Sequence, residues 1–163
     1  MSALKELMLR APRLTLAVAE SVTCGRVQAG VGGISGASEF FLGGVTAYTL
    51  DLKARLLGVD PALAALVNGV SAEIATQMAR GVCAHFGAEV GLATTGYAEP
   101  SPAHDVAEPF AWWAVTGPAA DGTRVTRCGR VACPGLDRAA AQALIADTAL
   151  AELETFLRET RGG

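Results

Sequence analysis

Charge is scarce in this sequence, and so are aromatic side chains. Of 163 residues, 18% are Asp, Glu, Lys or Arg and 6% are Phe, Trp or Tyr, against 51% hydrophobic. The formal net charge is −3 with a pI near 5.4, and no basic run occurs anywhere. A nucleic-acid surface needs clustered Lys and Arg to neutralise phosphates, so a nucleic-acid partner is not expected. Gly, Pro or a charge interrupts every apolar stretch before the roughly 18 residues that cross a bilayer, so neither is a membrane. The start, Met1 to Leu7, carries Glu6 and reads as a short amphipathic helix, not a secretory signal, which points to the cytoplasm. Four cysteines, Cys24, Cys83, Cys128 and Cys133, form no C-x-x-C pair, and the two histidines, His85 and His104, stand alone. Neither a disulfide framework, a metal site nor a cofactor is expected; the thiols read as reduced and mostly as small hydrophobes.

What the chain does have is apolar residues in short runs, much of that fraction Ala and Gly, with a mean hydropathy of +0.35. Such small residues favour helices packed closely on a sheet. Apolar richness of this order also calls for a sheet covered on both faces or for burial in a homodimer or higher homo-oligomer. The length fits one domain, residues 1–163, with no linker or internal repeat. Leu14 to Ala19, Phe40 to Tyr48, Glu89 to Thr95, Phe110 to Val115 and Thr123 to Val131 read as strands, the last two able to pair as a hairpin. Helices are expected over Gly25–Val31, Leu50–Leu57, from Asp60-Pro61, over Ser71–Phe86 and over Leu136–Arg158. Ser21 or Thr23 is the expected cap of the first of these, and the Gly43-Gly44 pair marks a bulge or close backbone approach. Strands alternating with helices imply an α/β fold, a three-layer α/β/α sandwich with a mixed, mostly parallel sheet.

Three strand ends carry polar residues: Ser21 after the first, Tyr48 and Lys53 after the second, Thr95-Gly96 after the third. Ligands of open α/β sheets bind outside the carboxyl ends of the strands. Ser21 is a candidate nucleophile. A serine hydroxyl needs a base, and Lys53 can serve if desolvation lowers its pKa, with Tyr48 relaying the proton or orienting the amine. Backbone N–H groups near Thr23, Cys24 and Gly25 suit an oxyanion or phosphate. Simpler roles compete. Ser21 can be only a cap, Lys53 a solvated helix residue, Tyr48 core, and His85 a partner of a helix C-terminus. Cys24 is a rival nucleophile, because a helix start lowers a thiol's pKa.

The segment Ala19-Glu20-Ser21-Val22-Thr23-Cys24-Gly25 resembles the A-E-S-C-T-G-G motif of the CinA C-terminal domain family, the nicotinamide mononucleotide amidohydrolases. Phe41 to Lys53 is similar to that family's F-x-G-G-V-x-x-Y-S-N-E-A-K, and Leu56-Leu57-Gly58-Val59, Thr95 to Pro100 and Pro134 to Arg138 match further segments in order. The resemblance implies a commonly dimeric α/β/α sandwich that needs no metal and hydrolyses a carboxamide to a carboxylate and ammonia. Ser21, Tyr48 and Lys53 take the positions of its Ser, Tyr and Lys. Thr23, Cys24, Gly25, Gly44, Thr95, Gly96 and Arg138 fall where a nucleotide-like amide would be bound, Arg138 as a fork for phosphate or carboxylate. The chain shows no counterpart of the N-terminal domain of longer members and reads as a stand-alone form.

The departures from that pattern gather where the ligand would lie. Cys24 stands for a glycine, Leu50 for an asparagine, Glu99 for a glycine, Glu108 for a lysine and Gln142 for an arginine. Ser101 to Ala107 replaces a glycine-rich stretch, and Phe110, Trp112 and Trp113 crowd the next strand. Two negative charges are gained and two positive ones lost, each worth about 1–4 kcal/mol beside a partly buried phosphate. The expectation is therefore either a less anionic amide substrate or a paralogue with little deamidase activity that binds a small nucleotide-like ligand or a protein partner.

Overall fold

The computed structural model describes residues 2–161; Met1, where the expected N-terminal helix was to begin, lies outside them. Five strands, β1 (Leu16–Glu20), β2 (Phe41–Thr46), β3 (Val90–Tyr97), β4 (Phe110–Pro118) and β5 (Arg124–Ala132), form one sheet in the order β2-β1-β3-β4-β5. The pairs β2–β1 and β1–β3 are parallel, and β3–β4 and β4–β5 are antiparallel, so only β4 runs against the other strands. The hairpin expectation for β4 and β5 is met.

Six α-helices cover the sheet: α1 (Ala3–Leu9), α2 (Arg26–Gly32), α3 (Leu50–Leu57), α4 (Pro61–Leu66), α5 (Ala72–Phe86) and α6 (Arg138–Thr160). Alternation along β1 feeds both faces. Leu16 and Val18 enter a core with α1, α2 and α6, while Ala17 and Ala19 face α3, α4 and α5. All five β1 residues are buried, as a strand covered on both sides requires. The result is the three-layer sandwich that the pattern implied.

Small residues set the layer spacing. A Cβ on Gly91 of β3 would stand 2.1 Å from the Ala79 carbonyl, so α5 rests directly on the strand backbone. The paired glycines of β2 coincide with a register shift, Leu16 pairing with Phe41 but Ala17 with Gly43. Local caps follow sequence chemistry: Thr49, Asp60, Ser71 and Asp137 each accept an amide from the first turn of α3, α4, α5 and α6. Trp113 packs in the α6-side core and Trp112 against the α5-side core, so both serve the sheet rather than an open cavity.

The chain runs from β1 to β2 on one side of the centre and returns to β3 on the other. The carboxyl ends of β1 and β3 therefore border the switch in winding direction, where α/β sheets leave a crevice. Ser21 is the first residue beyond β1 at that point.

Candidate active site

The turn after β1 is built on Glu20, whose carboxylate is fully buried. Parity along β1 aims it at the α2 layer, together with Leu16 and Val18. Its Oε2 accepts the Thr23 hydroxyl at 2.5 Å, the Gly25 amide at 2.9 Å and the Val27 amide at 3.1 Å, and its Oε1 accepts the Gln28 amide at 2.8 Å. Glu20, not Ser21 or Thr23, is thus the side chain that caps α2; the residue at the cap position itself is Gly25, which makes no side-chain cap bond. The expectation of a Ser21 or Thr23 cap is corrected here. An acid ending the run Leu16 to Glu20 on the α2 face was the available signal.

With Glu20 holding the helix, the Ser21 hydroxyl is free for another partner. Lys53 Nζ donates to Ser21 Oγ at 2.8 Å and to the Ala47 carbonyl at 3.1 Å, and lies 3.5 Å from the Tyr48 carbonyl. Both side chains are almost sealed, Ser21 at 7% and Lys53 at 3% exposure. No carboxylate approaches the ammonium among these contacts, so desolvation is unopposed and lowers the Lys53 pKa to about 8. The alkyl chain of Lys53 runs under the Asn68-Gly69 turn, where a Cβ on Gly69 would stand 3.5 Å from its Cδ and Cε. Thr95 Oγ1 donates to the Gly69 carbonyl at 2.6 Å and pins that turn. Thr94 Oγ1 lies 2.7 Å from Thr23 Oγ1 and ties β3 to the Ser21 turn.

The expected proton relay from Tyr48 to Lys53 is not the contact formed. The Tyr48 ring is half exposed and its hydroxyl accepts Arg138 Nη2 at 2.9 Å; only its backbone carbonyl faces Lys53. Arg138 Nη1 donates to Glu99 Oε1 at 2.8 Å. Of the other candidates, Gly44 abuts the Gln28 side chain and Gly96 the β4 backbone at Ala111, so both serve close packing. Cys24 is exposed and adopts φ 47, a left-handed conformation that an L side chain tolerates poorly. Two further departures make polar contacts to the backbone: Glu108 Oε2 accepts the Gly135 amide at 3.0 Å, and Gln142 Nε2 donates to the Val22 carbonyl at 2.9 Å. Among the described residues no helix is long and apolar enough to cross a membrane.

The arrangement holds a serine hydroxyl on a buried amine with a depressed pKa, at a winding switch of an α/β sheet. The chain matches known proteins over most of its length. The model of the CinA C-terminal domain matches residues 2–157. A CinA-like protein of Chlorobium limicola is 35% identical over 156 residues, which are 95% of this chain and 36% of that protein. A CinA-like protein of Frankia casuarinae is 44% identical over 117 residues, 72% of this chain and 26% of the relative. The chain thus spans about a quarter to a third of the length of these curated relatives. Among solved structures, a competence-damaged protein (CinA) superfamily member from Enterobacter cloacae superposes with a TM-score of 0.84 at 28% identity, covering 95% of this chain and 88% of its own. The competence damage-inducible protein A of Klebsiella pneumoniae gives 0.78 at 26% identity, covering 96% and 98%. The chain belongs to the CinA C-terminal domain family.

Proposed function

We propose that this domain is an amidohydrolase that converts the carboxamide of a small nucleotide-like substrate to a carboxylate and ammonia, with Ser21 as nucleophile and Lys53 as base. The observation that carries the reading is the 2.8 Å contact between Lys53 Nζ and Ser21 Oγ inside a sealed site. Neutral Lys53 takes the Ser21 proton as Oγ attacks the amide carbon, and the carbonyl becomes an oxyanion. The resulting ammonium then protonates the leaving nitrogen as the C–N bond breaks, releasing ammonia and leaving an ester on Ser21. Water, losing a proton to Lys53, hydrolyses that ester; the carboxylate departs and the proton returns to Ser21.

The oxyanion donors in this reading are the Val22 and Thr23 amides, which have no protein acceptor among the described residues. The Gly25 amide is already spent on Glu20, and the Cys24 amide on the Ser21 carbonyl. Tyr48 contributes its carbonyl to the lysine and its hydroxyl to Arg138. Ammonia release from nicotinamide mononucleotide and from its phosphate-free nucleoside tests the reading. The wild type is expected to release ammonia from at least one of them and Lys53→Met from neither. Equal release by both proteins would overturn it.

A further inference from the structure

Tyr48 follows β2 and Glu99 follows β3, the two strands that flank β1 and its Ser21. Arg138, the first residue of α6, joins them: Nη2 to the Tyr48 hydroxyl at 2.9 Å and Nη1 to Glu99 at 2.8 Å. Tyr48–Arg138–Glu99 is therefore a polar strap that links the strands on either side of the nucleophile at the crevice mouth. Its guanidinium is divided between two partners. A phosphate is gripped best by both terminal nitrogens at once, and here each of them already donates to a protein oxygen. Glu99 also sets a carboxylate against that guanidinium, while Glu108, on the loop before β4, and Asp137, the cap of α6, add two more beside the segment that leads into α6.

We propose that Glu99 determines substrate choice at this mouth: by occupying Arg138 it turns the site toward carboxamides whose outer end is uncharged or cationic, and against those that carry a phosphate. The assignment rests on the Ser21–Lys53 reading for the position of the reacting amide. It adds a selecting residue and a substrate class. Glu99 is exposed, with its side chain at 60%, so its replacement leaves the core intact.

Two probes share one carboxamide and differ by a phosphate, nicotinamide riboside and nicotinamide mononucleotide. Their dissociation constants are measured by calorimetry at low ionic strength on Ser21→Ala, which prevents turnover. The same measurement is made on Ser21→Ala carrying Glu99→Gln or Glu99→Gly. The parent is expected to hold the riboside at least as tightly as the mononucleotide. Removing the Glu99 charge should shift the ratio toward the mononucleotide by about tenfold, the scale of one charge contact at a partly exposed site. Adding Arg138→Gln to Glu99→Gly should remove that gain. An unmoved ratio, a parent that already prefers the mononucleotide tenfold, or no binding of either probe to any of the proteins would each overturn the proposal. Ammonia release by the wild type is read separately. A binding preference that responds to Glu99 without ammonia release sinks the amidohydrolase reading alone, and ammonia release with an unmoved ratio sinks the selection alone.

Discussion

Lys53 Nζ sits 2.8 Å from Ser21 Oγ, although the two residues are 32 positions apart, the serine in the turn after β1 and the lysine on α3. β1 delivers the serine, the β2–α3 connection delivers the lysine, and the parallel pairing of β1 with β2 brings the two ends together. The lysine is buried among oxygens that accept its hydrogen bonds without neutralising its charge, and this keeps a neutral amine within reach near physiological pH.

The first consequence is a pH profile. Lys53 must be unprotonated to accept the serine proton, so kcat/KM should rise with pH and level off through an apparent pKa of about 8. Below that value the rate should fall about tenfold per pH unit. A flat profile between pH 6 and 9 would remove Lys53 from the role of base.

The second concerns stability. Lys53 titrates near 8 in the folded chain and near its ordinary 10.5 when unfolded. Below both values it is charged in either state, and the folded state bears the full desolvation penalty. Between about 8 and 10.5 the unfolded chain binds the extra proton, so stability rises with pH, by about 3 kcal/mol in all. The difference between wild type and Lys53→Met cancels the other titrating groups. Urea denaturation across that window should show the wild type gaining on the variant, and a constant difference would contradict the desolvated lysine.

Glu20 gives a third. Glu20→Ala strips the Gly25, Val27 and Gln28 amides and the Thr23 hydroxyl of their common acceptor. At about 1–3 kcal/mol for each buried group left unpaired, the loss should be at least about 3 kcal/mol in chemical denaturation. Glu20→Gln, which keeps one acceptor oxygen, should lose less. A loss under about 1 kcal/mol for Glu20→Ala would show that the cap is not carried by this carboxylate.

Cys24 supplies the fourth. At φ 47 its side chain is strained, so Cys24→Gly should be neutral or stabilising by up to about 1 kcal/mol, whereas the β-branched Cys24→Val should destabilise by about 1–2 kcal/mol. Paired thermal melts check this, and the opposite order would mean that the thiol makes a favourable contact outweighing the backbone strain.

Much of this architecture is written locally. The apolar run from Leu14 to Ala19, the Asp60-Pro61 start, the Ser71 and Asp137 caps and the hairpin turn each declare themselves within a few residues. The Ser21–Lys53 pairing was also legible, because strand ends converge in any open α/β sheet. Three features were not. A lysine on a short helix reads as solvated, and only the Asn68-Gly69 turn folding over it makes it buried. Ser21 follows a strand and precedes a helix, which suggests a cap, yet the residue before it takes that role. Tyr48 lies five residues before Lys53, but the partner of its hydroxyl is set by the start of α6, 90 positions away.

In the proposed reaction Ser21, and not the neighbouring thiol, attacks the amide. The decisive measurement is ammonia release from the better of the two probes, nicotinamide riboside or nicotinamide mononucleotide, compared for wild type, Ser21→Ala and Cys24→Ser. Ser21→Ala should be slower by at least about 1,000-fold, and Cys24→Ser should keep a rate within about threefold of wild type. Full activity in Ser21→Ala, or its abolition in Cys24→Ser alone, would contradict it.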